Sequence, residues 1–347
     1  MKKSLYIGTI VLSAFITRAQ DLHFTQTAQT PLLINPAAAG VYDGWERVII
    51  NHRNQWLGAS TQFMTTNISA DINLFKSPRN DKAHMGVGLM FYNDIGGDSQ
   101  YGQRAGAVTV SGIIPMGGTG HILSAGIQAG MGNRSGNTNA LTYRSQWDGQ
   151  KFDQLILSGE QNKLMSFNYL DASAGLYYVF DGSQSSFQRK KEFKLQIGVS
   201  GYHLNAPEFR FSNGTSGERL MRKYVGHIGV TSDIGTSRMA IDANAIQTIQ
   251  GPHYQTLFGL MMKYRFEDNT MITGHTQKAY VGIGLYTRLK DAIMPSVLID
   301  WRGFQFGISY DVTLSALRNA YKGGSLEFSL SYVNRSHALF KTRRARF

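Results

Sequence analysis

The sequence predicts an all-β protein: a transmembrane, antiparallel outer-membrane β-barrel of about fourteen strands, with an N-terminal segment at its periplasmic mouth or plugging its lumen. Three observations predict it. The chain opens on a secretory leader. It then alternates apolar and polar residues in segments of about 9–14 residues, the length of a tilted membrane strand. Its composition is rich in glycine and aromatics, with 38 Gly, 17 Tyr and 19 Phe but only 7 Pro, as befits strands that are apolar on one face alone. A soluble β-sandwich shares the alternation, and the leader and the strand length decide against it.

The leader is residues 1–19. Lys2 and Lys3 give a charged start, Leu5 to Ile16 a short apolar core, and Thr17-Arg18-Ala19 a small-residue cleavage site before Gln20. The core is too short to span a bilayer. Position 20 is not Cys, so lipoprotein processing is not expected. The mature protein is therefore placed in the outer membrane, after cleavage near Ala19-Gln20. Mean hydropathy is −0.23, and no later run of ~18 apolar residues offers a helical span. The absence of Cys removes thiol nucleophiles, Cys-based zinc sites and iron–sulfur clusters, and a closed barrel needs no disulfide. The net charge is +12. Its basic residues are scattered and accompany no nucleic-acid motif, which points to an acidic partner or anionic headgroups and not to nucleic acid.

Residues 20–44 form a polar, Pro-broken prelude, suited to non-helical backbone inside a barrel. The barrel itself is expected over 45–334, with strands at 45–57, 62–75, 83–94, 101–115, 119–132, 168–180, 191–204, 222–234, 237–247, 253–266, 278–290, 293–301, 303–313 and 324–334. Phe304, Phe306, Ile308, Tyr310 and Val312 alternate with Gln305, Gly307, Ser309 and Asp311, a lipid-out, lumen-in pattern. Phe193 to His203 reads the same way, with Lys194, Gln196, Gly198 and Ser200 inward. The two longest connections, 133–167 and 205–221, both fall on odd-to-even steps, which are extracellular if the N-terminus is periplasmic. Gly117-Gly118 and Gly235 mark tight turns on the other side. The eleven-residue connection 267–277 departs from that asymmetry. Tyr92, Tyr178, Tyr202, Tyr254, Tyr264, Tyr286, Trp301 and Tyr310 lie near strand ends and are expected in interfacial girdles. A basic tail, 335–347, carries Arg335, Lys341, Arg343, Arg344 and Arg346; it reads as a solvated end or a periplasmic docking peptide.

No catalytic set is visible, and no cofactor or metal is expected. The nine His are dispersed, and G-x-S-x-G, H-E-x-x-H and P-loop motifs are absent. Asn93 to Asp98 is an acidic, Gly-rich turn lacking the EF-hand pattern, so it reads as an ordinary turn before a Ca²⁺ site. The informative polar residues are on the first strand. Arg47, Arg53 and Gln55 share a parity, and a charge facing lipid at mid-membrane costs on the order of 2–4 kcal/mol. That face must look into the lumen, as packing, a conduction path or a seat for a plug. Trp56 follows as a girdle candidate.

The run Phe24-Thr25-Gln26, Pro31, Asn35-Pro36-Ala37 and Ala39-Gly40, followed by Arg53-Asn54-Gln55-Trp56, resembles the start of the PorP/SprF family of Bacteroidota. The likeness continues through Asn93-Asp94-Ile95-Gly96 to Tyr310-Asp311, Ser325-Leu326-Glu327 and Ser331-Tyr332. It implies a non-enzymatic barrel of the type IX secretion and gliding machinery, which supports export or cell-surface anchoring of a large secreted adhesin through the cargo's C-terminal domain. Other type IX or periplasmic components and outer-membrane lipid are the further implied partners. Asn35, Pro36, Gly40, Arg47, Arg53, Gln55 and Trp56 are the candidate partner or plug residues. A channel for hydrophobic substrates or small solutes, with an N-terminal hatch, is the alternative.

Overall fold

The computed structural model describes residues 24–55, 63–77, 82–116, 120–137, 141–159, 166–182, 193–209, 218–235, 237–267, 279–314 and 324–335. The leader, Trp56, and residues 336–347 of the basic tail lie outside them. The described strands close into one antiparallel barrel of fourteen. In chain order they are β1 (Glu46–Gln55), β2 (Phe63–Leu74), β3 (His84–Gly96), β4 (Tyr101–Met116), β5 (His121–Ser135), β6 (Phe167–Asp181), β7 (Phe193–Tyr202), β8 (Lys223–Asp233), β9 (Met239–Gln250), β10 (His253–Glu267), β11 (Ala279–Arg288), β12 (Ala292–Trp301), β13 (Phe304–Thr313) and β14 (Ser325–Asn334). Every expected strand is present, with ends moved by a few residues; β9, for instance, runs to Gln250. A two-residue ladder, Glu208–Phe209 with Glu218–Arg219, stands between β7 and β8.

Closure comes from β1 pairing with β14, Glu46 opposite Asn334 and Asn54 opposite Leu326. Among the described residues no barrel strand has an unpaired edge, which is the condition for β structure in lipid. Alternation sets the two faces. On β1, Val48 and Ile50 are exposed while Ile49, Asn51 and Arg53 are buried. Leu89, Phe91, Phe304, Phe306 and Leu330 are likewise on the outer, lipid-facing side. No helix among the described residues is long and apolar enough to cross a membrane. The long connections 136–166 and 203–222 share one end of the barrel; β1 starts at the other.

Three of the aromatics expected in girdles are not there. Tyr92, Tyr202 and Tyr286 are buried on the lumen face. Their parity matches the inward residues of their strands, and a buried phenol needs a partner for its hydroxyl. Tyr202 finds the carbonyl of Leu32 at 3.0 Å. Tyr254, Tyr264, Trp301 and Tyr310 do face outward. In the lumen, Leu257, Met261, Tyr286, Ala292, Met294 and Leu298 form an apolar cluster on β10–β12.

Candidate functional site

Residues 24–44 lie inside the barrel. The segment makes a one-turn helix at Pro31–Ile34 and a 3-10 turn at Pro36–Ala38, too short to satisfy its own backbone. The wall supplies the rest. Thr25 N donates to Glu327 Oε1 at 2.8 Å and Oε2 at 2.9 Å, and Gln26 N reaches Oε2 at 3.3 Å. Gln26 also bridges Ser309 and Ser329, at 3.3 and 2.6 Å. The chain then crosses the lumen. Ser200 Oγ donates to Ile34 O at 2.5 Å. Asn35 is fully buried and works in two directions: Oδ1 caps Ala37 N at 2.9 Å, and Nδ2 donates to Leu176 O at 2.9 Å on β6. Pro36, which has no N–H to satisfy, starts the turn. Ser124 Oγ donates to Ala37 O and Ser111 Oγ to Ala39 O, each at 2.7 Å. Gly40, at φ +73°, passes its N–H to Asp71 Oδ2 at 2.9 Å.

Asn35 to Gly40 fits because the wall is bare there. Gly86 on β3, Gly126 on β5, Gly175 on β6 and Gly198 on β7 all face this run. A Cβ on Gly126 would lie 2.6 Å from Ala37 N, and one on Gly198 2.6 Å from Asn35 Nδ2. These distances are shorter than atoms tolerate, so the seat requires glycine. In the sequence these glycines read only as barrel composition. The available signal was their parity: Gly198 sits on the polar face of its strand.

The first-strand arginines face inward and are paired with acids. Arg47 is bidentate to Asp71, Nε to Oδ1 at 2.9 Å and Nη2 to Oδ2 at 2.7 Å, and stacks 4.3 Å from the Tyr42 ring centre. Asp71 therefore ties wall to plug. Arg53 Nη2 bonds Asp311 Oδ2 at 3.1 Å, and its Nε is 3.7 Å from Glu327 Oε1. Arg288 shares Asp311 at 3.0 Å. Charges this buried persist only when compensated, and two of these carboxylates, Asp71 and Glu327, also hold the plug. Gln55 keeps the lumen parity, half-buried opposite Phe63 at the end of β1. The structure thus brings Asn35, Pro36, Gly40 and Arg47 into one assembly and Arg53 into a second at Thr25–Gln26; Gln55 joins neither. Asp71, Asp311 and Glu327 were missed, because assigning an acid to an arginine across the barrel requires the register.

The plug leaves the lumen where β1 starts. Lys76, on the β2–β3 connection, donates to Tyr42 O at 3.0 Å and Gly44 O at 2.9 Å. Burial pushes the Lys76 amine down to about 8, with Asp43 opposing, and burial and Asp71 push the Tyr42 hydroxyl up. In the acidic turn, Asp94 accepts from Thr65 Oγ1 at 2.6 Å.

At the opposite end, residues 141–159 of the β5–β6 connection are folded on themselves. Gln146 Nε2 donates to Ile156 O at 3.1 Å, and Ser145 Oγ to Ser158 O at 2.6 Å. Asp148 Oδ1 accepts from the N–H groups of Gln150 and Lys151, both at 2.7 Å, which holds its carboxyl below the usual range. This frame presents Trp147, Leu155 and Leu157 to solvent, the two leucines at 91% exposure. Leucines this exposed leave apolar area uncovered that a partner could bury.

A model of the type IX secretion system membrane protein PorP/SprF family matches residues 16–332. The chain belongs to the PorP/SprF family. As a member of that secretion-system family it is an outer-membrane barrel that works with type IX components, and the family is not one of enzymes. No curated protein matches the chain. Among solved structures, the toluene transporter TbuX of Ralstonia pickettii is similar at TM-score 0.50 and 10% identity, over 89% of this chain and 94% of that one. The NalP autotransporter translocator domain of Neisseria meningitidis matches at TM-score 0.41 and 10% identity, over 89% of this chain and 96% of its own. At these identities the likeness to TbuX shows the barrel fold alone.

Proposed function

We propose that this PorP/SprF barrel is a non-enzymatic holder of a large secreted adhesin, supporting its export or its anchoring at the cell surface through the cargo's C-terminal domain. The observation that carries the reading is the pairing of an occupied lumen with an exposed apolar surface, Trp147, Leu155 and Leu157, on the long extracellular connection. An occupied lumen suits a holder better than an open conduit, and exposed apolar side chains give it something to hold with. Processing near Ala19-Gln20 places the mature chain in the membrane, and Asn35, Gly40, Arg47 and Arg53 keep the lumen closed around residues 24–44. The basic tail 335–347 would face the periplasm and an acidic component there.

The test is native purification from outer membranes with mass spectrometry. The wild-type barrel should bring down a large surface protein, and the double variant Leu155→Ser, Leu157→Ser should lose it while keeping its fold. Surface display of adhesins that is unimpaired after deletion of the gene and its paralogues would refute the reading. Bulky apolar residues at Asn35 and Gly40 should impair display more than barrel insertion; if insertion itself fails, residues 35–40 are a folding element instead.

A further inference from the structure

Between the plug and the outer ends of β8–β10 lies a cavity of about 80 Å³. A water needs on the order of 10–15 Å³ of such volume, so the space takes about half a dozen waters or one small organic molecule. One side is apolar: Phe24, Leu33 and Ile34 from the plug, Val225, Ile246 and Leu257 from the wall. An apolar patch beside a few polar groups in a cavity is the usual construction of a small-molecule site.

The polar lining has a definite sign. Lys223, the first residue of β8, is buried and borders the cavity, its ammonium 4.9 Å from the Tyr202 ring centre. Lys223 and Leu33 also border a second cavity of about 30 Å³ toward β3–β6, which Asp171 lines as well. His253 lines the first cavity, and its Nε2 is buried with no hydrogen-bond partner among the described residues. Thr27, Thr30 and Thr248 add hydroxyls, and no Asp or Glu lines the space. A cation, an unpartnered imidazole nitrogen and hydroxyls, without a carboxylate, suit an acidic head; the six apolar side chains suit a short tail or a single ring.

We propose that this cavity binds a small monocarboxylate with an apolar body, entering from the extracellular mouth. The head sits between Lys223 and His253, and the body lies against Leu33, Val225 and Leu257. Both plug and wall build the site, so binding favours the seated plug through linkage. The inference does not depend on which partner the outer connection holds.

Benzoate is a suitable probe, because its solubility limits partition into micelles, with benzylamine as the cation of matched shape. Titration calorimetry on the full-length protein in detergent should show saturable benzoate binding and none for benzylamine. Lys223→Gln should weaken benzoate about tenfold, the loss of one charge-assisted bond. Val225→Trp, which fills the cavity, should abolish it, and Thr248→Met serves the same purpose if that variant does not fold. Hydrogen exchange of the wild-type protein needs no variant: benzoate should slow the amides of 24–34 and 246–257. Equal binding of the two probes, no binding of benzoate, retained binding in the filled variant, or protection confined to other segments would each overturn the proposal.

Discussion

Residues 24–34 and residues 35–44 share one lumen and are held by different chemistry. The second half is fixed by shape. Asn35 to Gly40 lies against Gly86, Gly126, Gly175 and Gly198, and its carbonyls meet Ser111 and Ser124. The first half is fixed by charge and bordered by space. Glu327 holds Thr25 and Gln26, while cavities of about 80 and 30 Å³ flank Leu33. A backbone seated against glycines has few alternatives, because close packing admits no small displacement. Residues 24–34 are held by Glu327, Ser309 and Ser329 at Thr25–Gln26 and by Tyr202 and Ser200 at Leu32 and Ile34, and the empty volume beside Leu33 leaves this half room to shift. The difference teaches that the plug is closely packed over residues 35–40 and has free volume beside it at Leu33.

The largest effect should come from the carboxylate. Glu327→Gln leaves Arg53 and Arg288 sharing Asp311, and breaking such a buried pairing costs about 3–5 kcal/mol. Urea unfolding in detergent should show that loss, and hydrogen exchange should speed up in 24–29 but not in 35–40. Equal acceleration in both halves would erase the distinction between them. Next is the glycine seat: Gly126→Val should cost about 1–3 kcal/mol by overpacking. The control is Gly112→Ala, where an added Cβ meets nothing within 4 Å and the change should stay within about 0.5 kcal/mol. Asn35→Ala removes the cap and the bond to Leu176 O, and should cost about 0.5–2 kcal/mol.

The smallest effect is a pH dependence at the exit of the second half. Folding lowers the Lys76 pKa from 10.5 to about 8. Between those values the unfolded chain binds the extra proton, so this group makes stability rise with pH from about 8 and adds nothing below it. Tyr42, raised by folding, acts with the opposite sign above its ordinary value of 10.0. Unfolding midpoints of wild type and Lys76→Met should therefore diverge between pH 8 and 10 and run parallel below.

Much of this fold was legible because membrane strands announce themselves by length, alternation and turns. The inward face of Arg47 and Arg53 was legible for the same reason: a charge excludes lipid whatever its partner. The partners were not, since Asp71, Asp311 and Glu327 are 24, 258 and 274 residues from their arginines and only the register joins them. Tyr92, Tyr202 and Tyr286 misled because an aromatic near a strand end suits a girdle or a lumen equally, and parity had to decide. The glycine seat stayed hidden because an inward glycine and an outward one look alike until something is seen to press on them.

The central claim is that the N-terminal segment closes the barrel, its first half covering the β8–β14 side. Conductance in planar bilayers tests this most directly, comparing the wild-type protein with a variant lacking residues 24–34. The account predicts a silent wild type and a steady pore in the variant. A wild type that conducts steadily, at the same level as the variant, would contradict it.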